Sequence, residues 1–158
     1  MMKTLNRDIG VYIIGGNPNE KYLSIKNENQ LDNVHFLEFK NSHDLEEYYK
    51  IANIFVLPTR EDIWGLVINE AMAKGLPIVT TNKCVAGLEL VENEKNGFIV
   101  PVDNEEELKK AIEKIINNKK LQETMSNNNI EKIKSYTIEN MAKVHIKIFE
   151  NIINKEKI

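Results

Sequence analysis

Apolar residues in this chain come in short unbroken runs and not in alternation with polar ones. Val11-Tyr12-Ile13-Ile14, closed by Gly15-Gly16-Asn17-Pro18, predicts a buried strand ending in a turn. Val34 to Phe39 predicts a second strand, and Ile54-Phe55-Val56-Leu57, stopped by Pro58, a third. Ile78-Val79-Thr80 and Gly97-Phe98-Ile99-Val100 predict a fourth and a fifth. Between them the period changes. Leu45, Tyr48, Tyr49 and Ala52 recur at helical spacing behind a cap at Asn41 or Ser42. Gly65 to Lys74 carries Leu66, Val67, Glu70, Ala71, Met72 and Ala73, then Gly75 and Pro77 as a stop, which predicts a helix of about two to three turns. Strands that are apolar throughout and separated by helices require a parallel sheet covered on both faces. The expected class is therefore α/β, an open parallel sheet of about five strands with helices on both sides.

Beyond the last strand, helices are expected from about residue 104 to residue 155. Glu105, Glu106 and Glu107 stand in the first turn of one, where acids complement the macrodipole, and Leu108, Ala111, Ile112, Ile115 and Ile116 form its buried stripe. Two more follow, Lys119 to Ser135 and Thr137 to Lys155. The last carries Ile138, Met141, His145, Ile148, Phe149 and Ile152 along one face, so it must pack on something, and any exposed part of that face invites self-association.

Length and composition narrow the classes. At 158 residues, residues 1–158 are expected to form a single domain with one core, large enough to need neither disulfides nor a structural metal. One cysteine, Cys84, fits a reducing compartment, and a cytoplasmic location is the expectation. No window approaches the roughly 20 apolar residues of a membrane span, and Met1 to Gly10 lacks a signal-peptide core. With 24 acids against 21 bases, a net charge of −3 and scattered lysines, no basic stripe exists, so nucleic acid is not an expected partner. The many asparagines read as a compositional trait with little bearing on function. His35, His43 and His145 have no metal-site spacing, so neither a metal nor a cofactor is expected.

In open parallel sheets ligands bind beyond the carboxyl ends of the strands. The most loaded loop there is Pro58-Thr59-Arg60-Glu61-Asp62-Ile63-Trp64-Gly65, which leads into a helix whose first turn has free backbone N–H groups. Gly65 lets a phosphate come close, and Leu66 and Val67 offer N–H groups to it. Asp62 and Glu70 could border one cleft, and paired carboxylate oxygens suit vicinal hydroxyls. Acids for hydroxyls and amides for phosphate point to a nucleotide sugar. Taken alone, Glu70 is an exposed or capping acid, Trp64 is either core or cleft lining, and Arg60 is a surface or salt-bridge residue.

The run from Pro58 through Asp62-Ile63-Trp64-Gly65-Leu66-Val67-Ile68-Asn69-Glu70-Ala71-Met72-Ala73-Lys74-Gly75-Leu76-Pro77 resembles the donor-site signature of family 4 glycosyltransferases. That pattern is an acid, any residue, an aromatic, glycine, then a second acid eight positions after the first, and Asp62, Trp64, Gly65 and Glu70 fill it. Gly15-Gly16-Asn17-Pro18, Asn33-Val34-His35-Phe36, Gly87-Leu88-Glu89-Leu90-Val91 and Asn96-Gly97-Phe98-Ile99-Val100 resemble the family as well.

The resemblance implies a Rossmann-like three-layer sandwich, the C-terminal donor-binding half of a two-domain (GT-B) retaining glycosyltransferase that needs no metal. It implies Asp62 and Glu70 as the catalytic acids. Glu70 would hold the ribose hydroxyls, and Asp62, with Ile63, Trp64 and Gly65, the donor sugar. Leu66 and Val67 would take the pyrophosphate, Gly15 and Gly16 would border the nucleotide, and Phe39 and Lys40 would lie near the base. The first acid of the family is usually Glu, so Glu61 rivals Asp62.

In the family an acceptor domain and the first strand and helix of the donor domain precede this region. The expectation is a chain lacking them, with that N-terminal domain as its partner, and Lys3 and Arg7 do not transfer onto its diphosphate-neutralising bases. Removing the central strand from the order 3-2-1-4-5-6 leaves 2-1-3-4-5, which would put Gly15-Gly16 beside the Asp62 loop. Donor binding without turnover is expected, in polysaccharide or glycoconjugate assembly when joined to the partner domain. The alternatives are a stand-alone nucleotide-binding module, or a fragment of a GT-B-type sugar-nucleotide epimerase.

Overall fold

The computed structural model describes residues 9–155, so Lys3 and Arg7 lie outside the described residues. Strand β1 is Val11–Ile14, helix α1 Glu20–Glu28, β2 Val34–Leu37, α2 Ser42–Ile51, β3 Phe55–Leu57 and α3 Leu66–Ala73. Then come β4 Ile78–Thr81, α4 Val85–Leu90, β5 Gly97–Val100, α5 Glu105–Ile116, α6 Lys119–Ile133 and α7 Ile138–Lys155. Helices α1 and α4 have no counterpart in the apolar pattern. The first buries none of its residues, and the second is six residues long with Gly87 inside it.

The asparagines have a structural use. Asn19, Asn41, Asn104 and Asn118 each stand at a helix start and accept the N–H three residues on at 2.9–3.0 Å. Each satisfies a donor that the helix itself leaves free.

All strand pairs are parallel, but they do not make one sheet. β1 pairs with β2, while β3, β4 and β5 form a second sheet in that order. The continuous order 2-1-3-4-5 expected from the sequence is thus corrected, because β1 and β3 do not pair. Helix α2 spans the interval instead. Tyr48 lies 6.1 Å, ring to ring, from Tyr12 on β1, and its neighbour Tyr49 sits edge-on to Phe55 on β3 at 5.8 Å. A helix is as wide as about two strand spacings, so one helix seated on both half-sheets holds them side by side without backbone pairing.

Layering is complete only around β4, whose four residues are all buried. Ile78 faces a cluster with Tyr49, Ile68, Ala71, Met72, Ala86 and Leu90 from α2, α3 and α4, and Leu76 from the turn before β4. Val79 faces the opposite cluster of Val100, Ala111, Ile112, Ile115 and Met125 under α5 and α6. That alternation is the period of two expected of a strand with helices on both faces. Asn129, fully buried on α6, donates to the carbonyls of Leu76 (2.7 Å) and Asn96 (2.9 Å), which ties α6 to the loops behind β4 and β5. In contrast, Tyr12 and Ile13 on β1 remain 51% and 40% exposed, so the strand predicted to be buried is half open. Helix α7 is open in the same way. Ile138, Met141, Ile148, Phe149 and Ile152 stay exposed, so the described residues do not cover its stripe, the part of that face from which self-association was expected.

One surface cluster makes the fold sensitive to acid. Glu92 accepts from Lys132 on α6 and from Lys95, each at 2.8 Å, and these partners, Lys132 first, lower its carboxyl pKa from 4.5 to about 2. A carboxylate whose folded value is depressed contributes stability above its ordinary value, and loses it as pH falls toward the folded one. Wild type is expected to melt above Glu92→Gln at about pH 6, with the gap closing as pH drops below about 4. Melting curves across that range check it, and a gap that does not change with pH refutes it.

Candidate functional site

Two threonines at the end of β4 set the entrance. Thr80 Oγ1 donates to the Leu57 carbonyl at 3.0 Å and Thr81 Oγ1 to the Thr59 carbonyl at 2.6 Å, fixing where the chain leaves β3. The following loop is strapped to residues 83–86 by backbone bonds. Asp62 N–H donates to Lys83 O at 3.0 Å, Val85 N–H to Asp62 O at 3.1 Å, and Ala86 N–H to Trp64 O at 2.8 Å. The loop therefore continues the sheet edge, with a parallel bridge between Asp62 and Cys84.

Within it, Asp62 Oδ1 accepts the Trp64 N–H at 3.0 Å, an Asx turn that commits one oxygen of the predicted sugar-binding acid to shaping the loop. Glu61, the rival acid, is exposed. Trp64 is half-buried against the core around Ile68 and Met72, and its indole N–H donates to Asn69 Oδ1 at 3.1 Å. Of the two roles open to Trp64, packing is the one the contacts display. Arg60 pairs with Asp103 at 2.8 Å, both exposed, the surface ion pair its type suggested.

Gly65 then turns the chain into α3 with φ of 85° and ψ of 60°, a left-handed conformation costly for a side chain. A Cβ there would lie 2.9 Å from the Cys84 sulfur and 3.5 Å from the Asp62 carboxylate. Fully buried Cys84 is thus the floor under Gly65. With Gly65 at the cap position, α3 has no side-chain cap among the described residues, which leaves the N–H groups of Leu66 and Val67 available to an anion at the positive end of the helix.

One helical turn on, Glu70 is exposed, and its Oε2 accepts from Tyr49 Oη at 3.0 Å. Tyr49 is buried on α2. Burial first, and Glu70 second, push the phenol pKa up, so the hydroxyl keeps its proton and donates. The sequence alone did not single out Tyr49, Asn69 or Cys84 for the site, because each carries an ordinary packing pattern.

Asp62, Trp64, Gly65, Leu66, Val67 and Glu70 thus come together at the start of α3, on a surface where Ile63 and Leu66 are 88% and 68% exposed. Gly15, Gly16, Phe39 and Lys40 are not joined to them by any hydrogen bond among the described residues. Gly15 donates to Leu37 O at 3.3 Å within the β1–β2 half, and the expected neighbourhood with Asp62 depended on the β1–β3 pairing that is not made. Strand β2 stops at Leu37, short of the predicted Phe39, which is 78% exposed. Lys40 lines an open groove of about 460 Å³ with Asp44, Glu47, Tyr48 and Ile51. A second groove, of about 410 Å³, lies at the far end of α3 beside Gly75 and Leu76.

Comparison with known proteins gives this geometry a context. Residues 1–132 match the family model for glycosyl transferases group 1. An uncharacterized glycosyltransferase of Haemophilus influenzae is 39% identical over 109 residues, covering 68% of this chain and 30% of that protein. The capsular polysaccharide biosynthesis glycosyltransferase CapM of Staphylococcus aureus is 31% identical over 121 residues, covering 71% of this chain and 32% of that protein. Among solved structures, S. aureus TarM in complex with UDP superimposes with a TM-score of 0.78 at 20% identity, covering 89% of this chain and 29% of that one. The chain spans about a third of the length of the curated relatives it matches. With the signature residues gathered at the head of α3 and the family model spanning residues 1–132, the chain belongs to the group 1 glycosyl transferases.

Proposed function

We propose that this chain is the donor-binding part of a retaining glycosyltransferase that moves a glycosyl group from a nucleotide-diphosphate sugar to an acceptor, in polysaccharide or glycoconjugate assembly. The observation that carries the reading is the junction of the strapped loop and α3. Uncapped amides at Leu66 and Val67 and an exposed carboxylate at Glu70 lie about one turn apart on a single short helix. A diphosphate accepts hydrogen bonds and a ribose diol donates them, so one nucleoside diphosphate satisfies both ends of the junction. Glu70 takes the ribose hydroxyls, the amides take the pyrophosphate, and the Asp62 oxygen not used by Trp64 meets the donor sugar.

The mechanism assigned to this chain is binding and orientation. The α3 amides stabilise the charge that collects on the diphosphate as the glycosyl bond breaks, because they are aimed before the reaction begins. The UDP named in the TarM complex supports a nucleoside diphosphate as the class of ligand, and the buried Cys84 suits a reducing, cytoplasmic setting. Calorimetric titration with UDP, GDP and ADP, and with their glucose conjugates, tests the reading. Saturable, one-to-one binding of one diphosphate is expected. If none binds with a dissociation constant below about 1 mM, the proposal fails.

A further inference from the structure

The contact between Tyr49 and Glu70 joins residues 21 positions apart, on different helices, at 3.0 Å. Glu70 is an exposed acid on a helix surface, where its side chain would ordinarily sample several rotamers. Tyr49 cannot move in that way. Its ring is packed among Ile68, Ala71 and Met72 on the inner face of α3 and lies edge-on to Phe55 at 5.8 Å. Phenylalanine would fill the same space with no polar atom to desolvate, so packing alone gives no reason for the hydroxyl. Its effect falls on Glu70, where it holds one carboxylate oxygen in a single place.

We infer that Tyr49 is a positioning residue for nucleotide recognition, holding the Glu70 carboxylate in the orientation that receives a ribose diol. The inference rests on the reading of Glu70 given above. A diol needs two acceptor oxygens at fixed separation, and a carboxylate already anchored at Oε2 loses less freedom when the ligand arrives. Oε1 stays open among the described residues, and Oε2 keeps a second lone pair, so the anchor does not consume the acceptor capacity that a diol needs. The raised phenol pKa keeps the anchor protonated over the working range.

The test compares uridine and guanosine diphosphates with their 2′,3′-dideoxy counterparts on wild type, Tyr49→Phe and Glu70→Ala. Wild type should prefer the ribose form. Tyr49→Phe should weaken the ribose form by about 3- to 10-fold, leave the dideoxy form unchanged and keep a near-wild-type melting temperature, while Glu70→Ala should abolish the preference. Wild type binding both forms equally would remove the Glu70 reading and this inference together. A wild-type preference lost in Glu70→Ala yet kept in full by Tyr49→Phe would overturn the inference alone. Equal weakening of both forms by Tyr49→Phe would also overturn it, since that is what loosened packing produces.

Discussion

Glu70→Ala is expected to weaken nucleoside diphosphate binding by about 10- to 100-fold, while the protein stays folded. Hydrogen bonds to a charged group contribute about 1.5–3 kcal/mol each, and tenfold in affinity corresponds to about 1.4 kcal/mol, so losing a two-point grip on the ribose falls in that range. Stability should fall by a margin that leaves the protein folded. Glu70 is exposed, and the bond it gives up inside the protein is the one from Tyr49 Oη to its charged oxygen, at about 1.5–3 kcal/mol. In a chain of this size that is a shift of roughly 3–12 °C in melting temperature. Glu70→Gln separates the two effects, because the amide oxygen still accepts from Tyr49 while the charge is gone. Its melting temperature should match wild type, and its affinity should fall between wild type and Glu70→Ala. Paired calorimetry and thermal denaturation read both quantities. Unchanged binding in Glu70→Ala would mean that this acid does not meet the nucleotide.

The largest loss of stability is expected from Gly97→Ala, at more than about 4 kcal/mol, enough to remove most of the margin of an ordinary domain. Gly97 is buried in β5 directly opposite Ile78 on β4. A Cβ there would run into the Ile78 carbonyl oxygen and would also stand 3.0 Å from Val91 Cγ1. The first obstacle is backbone at the first pair of a parallel ladder, which cannot swing aside as a side-chain tip can. The central sheet would have to open between β4 and β5, and both cores that flank β4 would open with it. Gly16→Ala is the control, since a Cβ at Gly16 meets nothing within 4 Å. Urea denaturation should put Gly16→Ala within about 0.5 kcal/mol of wild type. A change below about 1 kcal/mol in Gly97→Ala would refute the packing argument.

Gly97 was legible in the sequence only as the first residue of a strand. Nothing local distinguishes a glycine that tolerates a methyl group from one that does not, because the decisive atom belongs to Ile78 on another strand. Glu70 was legible in a different way. A motif of an acid, an aromatic, a glycine and a second acid on a short helix carries its own geometry, so the cluster at the head of α3 follows from residues within nine positions of one another. Gly15, Gly16, Phe39 and Lys40 had no such local unit. Their expected link to the site ran through a strand pairing, and β1 and β3 do not pair.

By itself, then, the sequence determined the strand runs, the α/β class, the place of most helix starts and the clustering of Asp62, Trp64, Gly65 and Glu70 at the head of α3. Each of these depends on backbone sterics, side-chain period or capping within a few residues. Tertiary structure alone decided that the strands divide into two parallel sheets bridged by α2, that β1 and α7 keep apolar faces exposed, and that Cys84 floors Gly65 while Tyr49 anchors Glu70. Those outcomes depend on which elements come within one side chain's reach after packing. The periodicity of a strand or a helix says which of its faces is apolar, and carries no record of what that face will meet.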